Sequence, residues 1–322
     1  MLKSYDYLEG SPDRNAIQTP DRTREERELA RAIAQRIPFH PASERVCPLC
    51  GSSAVTEFFV KWDVPYWRCE QCESIFVPLD TKTHQAYQEA PELTQYWMDE
   101  NYQKEASVMR EAFWLEIVDW LHFRSYRYCG KKDGVSITDI GNRYLGLSEM
   151  IRKSEFCARY ELADSLLMSG QEQRGAEKTA DIVLMLDYLQ KSHRPEADIR
   201  AAAKRLVPGG LLFLSCRSGT GLDVLTLKEY ASVYPYEHIT LPSLLGLRGL
   251  LERVGLEVLE WSTPGQMDIG YVKSQAKYLA PTDHFMRNLI KNADDSDLGE
   301  FQRLLQRVGL SSYARIIARK AY

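Results

Sequence analysis

The sequence is notable first for what it does not contain. No apolar run approaches the ~18 residues that a membrane helix needs, because charge or glycine interrupts every candidate. The first residues, MLKSYDYLEGSPDRNAIQ, hold no apolar core after the lysine, so they do not read as a secretory signal. There is no excess of charge of one sign: 41 basic against 45 acidic residues give a net of −4. That balance lacks the electrostatic footprint of a protein whose main work is gripping nucleic acid. Internal repeats and low-complexity tracts are also missing. These absences predict a soluble, cytoplasmic protein. With 322 residues and 44% hydrophobic content, the chain can bury a full core.

Seven cysteines are present. In a reducing compartment disulfides are rare, and metal binding is the better first reading. Cys47-x2-Cys50, 18 intervening residues and Cys69-x2-Cys72 make the four-thiolate zinc pattern. Each CxxC can fold into a tight knuckle pointing two sulfurs at one ion, and Gly51 suits the backbone turn of the first. Four thiolates with no open position make a closed, structural site holding one zinc per chain. The metal is expected to help fold a module too small to bury much apolar surface. Cys157 and Cys216 read as small buried hydrophobes, and Cys129 stands apart.

The chain divides into four parts. Residues 1–40 form a helical extension in which Leu29, Ile33 and Ile37 recur at helical spacing on a charged run. Residues 41–80 form a zinc ribbon whose β-rich runs AVTEFFVKW and PYWRC span the gap between the two knuckles. Residues 81–132 form a helical connection with a stripe of Met109, Phe113, Ile117 and Trp120. From 133 to 322, strands and helices alternate, the signature of an α/β domain with a mainly parallel sheet.

Several pieces of that last part, in this order, resemble class I methyltransferases that use S-adenosylmethionine (SAM) and carry an N-terminal zinc module, the sugar C-methyltransferase and biosynthetic-cluster type. The pieces are CEQCESIFVPL, VSITDIGNRYLG, ADIVLMLDYLQKSHRPEADIRAAAKRLVPGGLLFLS, YEHITLPSLLGLRGLLERVGLEVLEWSTPGQMD and SSYARIIARK, and the likeness covers roughly residues 45–322. The resemblance implies a Rossmann-like fold with an antiparallel last strand. It also implies a cofactor loop at Asp139, Gly141, Asn142, Arg143 and Gly146, and an acid, Glu161, for the cofactor ribose. Near the methyl group it implies Asp187, with Glu237 and His238, the last as general base. The sequence departs from the pattern at Arg143 and Leu145, where the family places small residues, and in residues 162–180, which leave no room for the usual third helix–strand unit.

Two functional readings follow. One is a working methyltransferase acting on a small or carrier-linked biosynthetic substrate such as a sugar nucleotide. The other is an inactive relative kept as a zinc-bearing scaffold for a protein partner. A homodimer is compatible with either. A nucleic-acid surface on the ribbon, built from Lys61, Trp62, Trp67 and Arg68, is a weaker third.

Overall fold

Two neighbouring runs, ADIVLML and LLFLSC, are apolar without alternation, as strands covered on both faces must be. They become β6 (Ala180–Leu186) and the core of β7 (Leu206–Arg217), the centre of a six-stranded sheet. The structure is a computed structural model describing residues 20–141, 144–163, 179–235 and 237–322.

In chain order the first elements are α1 (Pro20–Arg36), β1 (Val55–Lys61), β2 (Val64–Cys69), β3 (Ile75–Phe76), α2 (Thr81–Gln88), α3 (Pro91–Met98) and α4 (Glu100–Cys129). Next come β4 (Val135–Ile140), α5 (Leu145–Lys153), β5 (Cys157–Ala163), β6, α6 (Pro195–Arg205), β7 and α7 (Leu222–Leu227). The chain continues through β8 (Thr240–Leu241), α8 (Leu244–Arg253), β9 (Leu256–Ser262), α9 (Asp268–Ser274), α10 (His284–Asn292), α11 (Asp295–Val308) and β10 (Tyr313–Lys320).

The large sheet has the order β5-β4-β6-β7-β10-β9. β5, β4, β6 and β7 pair in parallel, while β10 runs antiparallel between β7 and β9. The expected Rossmann-like α/β architecture with an antiparallel last strand is therefore present. Among the described residues β5 is the outer strand on its side.

The strand period of two sorts the core into layers. Val183 and Met185 of β6, Leu212, Leu214 and Cys216 of β7, and Ala314 and Ile316 of β10 face one side. Ile182 and Leu184, Leu211 and Phe213, and Ile317 face the other. The second layer is covered by α4, through Trp114, Ile117, Trp120 and Leu121, and by Leu147 and Ile151 of α5. α4 starts at Asp99, whose carboxylate accepts from Tyr102 N, and stops at Gly130, a left-handed cap with φ +69°. Of the remaining cysteines, Cys216 is fully buried, whereas Cys129 and Cys157 are half-buried.

The first layer is covered by α6, α8 and the two CxxC knuckles. The knuckles are near copies. Gly51 N donates to Cys47 O and Glu73 N to Cys69 O, both at 2.9 Å, and Cys47 N and Cys69 N donate to Ser52 O and Ser74 O. Each knuckle needs a left-handed residue after its second cysteine: Gly51 at φ +77° and Glu73 at φ +62°. A non-glycine residue there costs roughly 1–2 kcal/mol.

Between the knuckles, β1 and β2 form a hairpin whose two-residue turn, Trp62–Asp63, has φ of 51° and 63°. Two positive φ values define the tight turn whose twist matches paired strands. β2 pairs with β3, and β3 pairs with β8 of the main body, so one four-stranded sheet runs from the hairpin into the α/β unit. α1 lays Ile33 and Ala34 on the same cluster as Phe59 and Tyr66 of the hairpin.

α8 is the bolt. Its N-cap Ser243 accepts from Gly246 N at 2.8 Å, donates to Cys72 O, and takes its own N–H to Ser74 Oγ at 3.0 Å. At its other end Arg253 donates to Leu49 O in the first knuckle. Leu49 is fully buried against this helix, a burial worth about 2 kcal/mol.

A Cβ at Gly246 would run into Ser74 Oγ and lie 3.4 Å from Cys72 Sγ. Gly246→Ala should therefore cost about 1–3 kcal/mol and weaken metal retention, read by denaturant melts with and without chelator. An unchanged melt would contradict this packing.

Candidate functional site

The sulfurs of Cys47, Cys50, Cys69 and Cys72 all lie within 4.8 Å of one another, and all four thiols are free of disulfides. Cys47 to Cys72 and Cys50 to Cys69 are each 3.5 Å. Tetrahedral zinc, with sulfur at about 2.3 Å, sets sulfurs about 3.8 Å apart, so the donor set fits such an ion. Crowding splits their acidity: the hydrogen bond from Cys47 pulls Cys72 down to about 5, and the same bond pushes Cys47 up. Four thiolates so close require a cation to coexist. The group could hold a metal, as the spacing implies.

The second site lies at the carboxyl edge of the large sheet. Ligands of open α/β sheets bind where neighbouring strands lead off in opposite directions. Here that point lies between β4, whose other neighbour is β5, and β6, whose other neighbour is β7. Gly141 follows β4 with φ +68°, and Asp187 follows β6 with φ +55°. Asp187 takes a conformation that favours glycine, and two bonds hold it there. Its N–H donates to Ser215 O at 3.0 Å, and Ser215 Oγ lies 3.4 Å from its Oδ1. Tyr313 OH in turn donates to Ser215 Oγ at 2.7 Å.

Tyr188 packs against Gly141. A Cβ at Gly141 would be 2.5 Å from the Tyr188 ring, so only glycine allows this approach. Burial pushes the Tyr188 phenol up, keeping it protonated.

The other expected residues are placed as follows. Asp139 is fully buried and accepts from Tyr160 OH at 2.6 Å, and the same hydroxyl meets Ser148 of α5 at 2.9 Å. Its carboxylate ties β4 to β5 and α5. Glu161 is half-buried and pairs across from Thr138, while Ala163 O is the group that meets Gly141 N. The register thus sets Glu161 two residues short of the loop. Asp164, the next residue after Ala163, lies outside the described residues. So do Asn142 and Arg143. Gly146 lies in the first turn of α5.

Glu237 and His238 reach the same edge by a different route. Glu237 pairs with Lys191 at 3.5 Å, and Ile239 N donates to Gln190 O at 2.8 Å. Gln190 Oε1 also accepts from Arg217 N at 2.6 Å. Gln190 and Lys191 therefore clamp the 237–239 segment to the end of β6. His238 Nδ1 accepts from Tyr234 N at 3.0 Å, which puts the neutral ring's proton on Nε2. In that tautomer the ring's one basic lone pair, on Nδ1, is engaged by the Tyr234 N–H.

The ribbon surface requires a correction. Lys61 does not face solvent: it is 3% exposed and donates to Ala231 O at 2.6 Å. Trp62 stacks on Tyr234 at 6.1 Å, and Arg68 pairs with Glu73 at 3.3 Å. Lys61 and Trp62 at the hairpin tip turn toward the 231–234 segment, a placement set by distant residues and invisible in local sequence, while Arg68 stays partly exposed. Among the described residues no helix is long and apolar enough to cross a membrane.

Comparison with known proteins adds the following. Residues 147–260 match the family model of a methyltransferase domain. No curated protein matches the chain. Among solved structures, a proposed sarcosine dimethylglycine methyltransferase from Galdieria sulphuraria is 15% identical, with 66% of this chain and 88% of that one covered at a TM-score of 0.43. A coclaurine N-methyltransferase bound to N-methylheliamine and S-adenosylhomocysteine (SAH) is 14% identical, covering 64% and 72% at 0.40. A plantazolicin methyltransferase in complex with a desmethyl analog and SAH is 17% identical, covering 75% and 97% at 0.38.

Lys61 offers a pH test. Burial, then Arg27 and Arg217, push it from its ordinary 10.5 down to about 7. Between those values the folded chain holds fewer protons than the unfolded chain, so this group makes stability rise with pH. Lys61→Met should flatten that rise in urea melts from pH 7 to 10. An equal slope in variant and parent would place the ammonium in water.

Proposed function

We propose that the protein is a SAM-dependent methyltransferase acting on a small or carrier-linked biosynthetic substrate, with a structural zinc in its ribbon. The observation that carries the reading is the pairing of Gly141 and Asp187 at the switch point of a class I sheet, inside a chain that matches a methyltransferase domain.

The residues present suit the cofactor in part. Gly141 offers a backbone that another group can approach closely, as Tyr188 does already. Asp187 is the carboxylate nearest the edge where β6 ends. When bound, the cofactor supplies an electrophilic methyl group. The protein's own task is then to hold the acceptor in line and keep water out, and positioning of this kind can supply most of the rate. His238 in its described tautomer positions the 234–238 turn, and the acceptor's proton leaves by another route or to solvent. Glu161, near the end of β5, is the acid that would hold the cofactor ribose.

Zinc acts away from this chemistry. Its knuckles seat β3, β3 pairs with β8, and β8 follows the segment carrying Glu237 and His238. The metal is in this sense a positioning device for the site.

A second reading is favoured by Tyr188. Its ring fills the space beside Gly141, and Lys191 holds Glu237. If that arrangement is permanent, the fold serves as a scaffold for a protein partner rather than an enzyme.

Calorimetry of SAM and SAH against metal-loaded protein separates the two. Micromolar binding, lost in Gly141→Val, is expected of the enzyme. No heat with the parent, together with binding gained in Tyr188→Ala, would mark a closed pocket and contradict the methyltransferase reading. Metal analysis should return one zinc per chain; four freely titrating thiols and no metal would remove the zinc.

A further inference from the structure

Two histidines face each other where the helical connection meets the α/β unit. His84, on α2, and His193, in the turn between β6 and α6, have ring centres 3.9 Å apart at a tilt of 41°. His84 Nε2 also lies 3.1 Å from Lys191 O. A carbonyl only accepts, so Nε2 carries the proton of the neutral His84 ring. His193 Nε2 is buried with no hydrogen-bond partner among the described residues.

The turn over residues 189–194 is gripped from two sides. On the side of the main body, Ile239 N donates to Gln190 O at 2.8 Å and Thr240 Oγ1 to Ser192 O at 2.7 Å. On the other side, His84 bonds to Lys191 O and packs on His193. α2 is itself seated by Thr83 and Tyr87, both buried. The same turn carries the Lys191 ammonium that pairs with Glu237.

That contact suits two uncharged rings. A proton taken up by His193 would set a cation against the His84 ring, and its buried Nε2–H would face no acceptor. A proton taken up by His84 would likewise set a cation against His193. A buried charge is costly unless it is paired, and the charged group that acts on both rings is Arg194, which is positive. The carboxylates of the surrounding elements are committed elsewhere. Asp198 of α6 accepts from Ser192 Oγ, Asp80 caps α2 by accepting from Thr83 N at 2.7 Å, and Glu237 holds Lys191. His40 and Lys82 act on Asp80. None of these groups is among those that act on either ring. Burial, then His84 and Arg194, accordingly lower His193 from its ordinary 6.5 to about 4. Burial lowers His84 too, against the bond to Lys191 O, and Arg194 adds to the lowering.

We propose that His84 and His193 form an acid-released latch between α2 and the turn that carries Lys191. With both rings neutral the latch is shut, and Lys191 is held where it meets Glu237. When either ring takes up a proton, the rings part so that the cation reaches water. The turn then keeps its bonds to Ile239 and Thr240 and loses its hold on α2. The latch stands whether or not the chain transfers methyl groups.

The test is histidine NMR on the metal-loaded full chain from about pH 7.5 down to about 4, with metal content checked at each point. Both rings should titrate below 6.5. The ring-to-ring Overhauser contact should fade with that titration, while the methyl signals of Val183 and Leu184 in β6 stay in place. His84→Phe keeps a ring against His193 but cannot charge, so the His193 midpoint should shift upward in it. Urea melts give a second reading. Between 6.5 and about 4 the folded chain holds fewer protons than the unfolded chain, so the pair makes stability fall as pH falls. His193→Phe should reduce that fall. Metal lost at the acid end affects parent and variant alike, so the difference between them reads the latch. Rings that both titrate at 6.5, a contact that survives protonation, or an equal slope in His193→Phe would each overturn the proposal. If a variant does not fold, the ring titration and the contact in the parent decide alone.

Discussion

The hydrogen-bonded joint between the second cysteine knuckle and the start of α8 is the constraint on which the rest of the molecule depends. Ser74 follows the knuckle and Ser243 caps the helix, and the two hydroxyls lie 3.3 Å apart with Cys72 Sγ 3.3 Å from Ser74 Oγ. Gly246 is the helix residue that lets them approach. A helix N-terminus beside a cluster of thiolates is electrostatically favourable in its own right. Arg253 closes the opposite end of the helix on Leu49, so one ten-residue helix grips both knuckles. The ribbon is thus part of the core on that face of the sheet.

From this joint the constraint passes to the site through backbone bonds. Ile75 and Phe76 pair with Leu241 and Thr240, and Val77 N donates to Ile239 O at 2.8 Å. Ile239 N then donates to Gln190 O, and Gln190 Oε1 accepts from Arg217 N. Thr240 Oγ1 adds a bond to Ser192 O at 2.7 Å. Each link is worth about 1 kcal/mol net, but together they fix where Glu237, His238 and Arg217 stand relative to Asp187. The cysteine knuckles, though remote from that edge, thus bear on where those residues stand.

Much of this was legible in the sequence because it is local. The paired CxxC units, Gly51, the uninterrupted apolar strands and the proline and glycine boundaries are all readable within a few residues of chain. What escaped depends on distant partners. Lys61-Trp62 reads as basic and aromatic surface until Ala231 and Tyr234 cover it. Glu73 and Asp187 carry left-handed turns without glycine, and no local signal marks them. β8 is two residues long, too short for any period to register. The register of β5 against β4, which sets Glu161 across from Thr138, is fixed by pairing rather than by spacing. At His238 a backbone N–H from Tyr234, which no local pattern announces, decides which nitrogen carries the proton.

Hydrogen exchange of metal-loaded and chelator-treated protein tests the account most directly, read at the amides of Val77, Ile239, Ser243 and Gly246. The account requires that removing the metal exposes all four together, while the amides of Val183 and Leu184 in β6 stay protected. Retained protection at Ile239 and Ser243, with exchange confined to residues 47–74, would contradict it and leave the ribbon as an independent appendage.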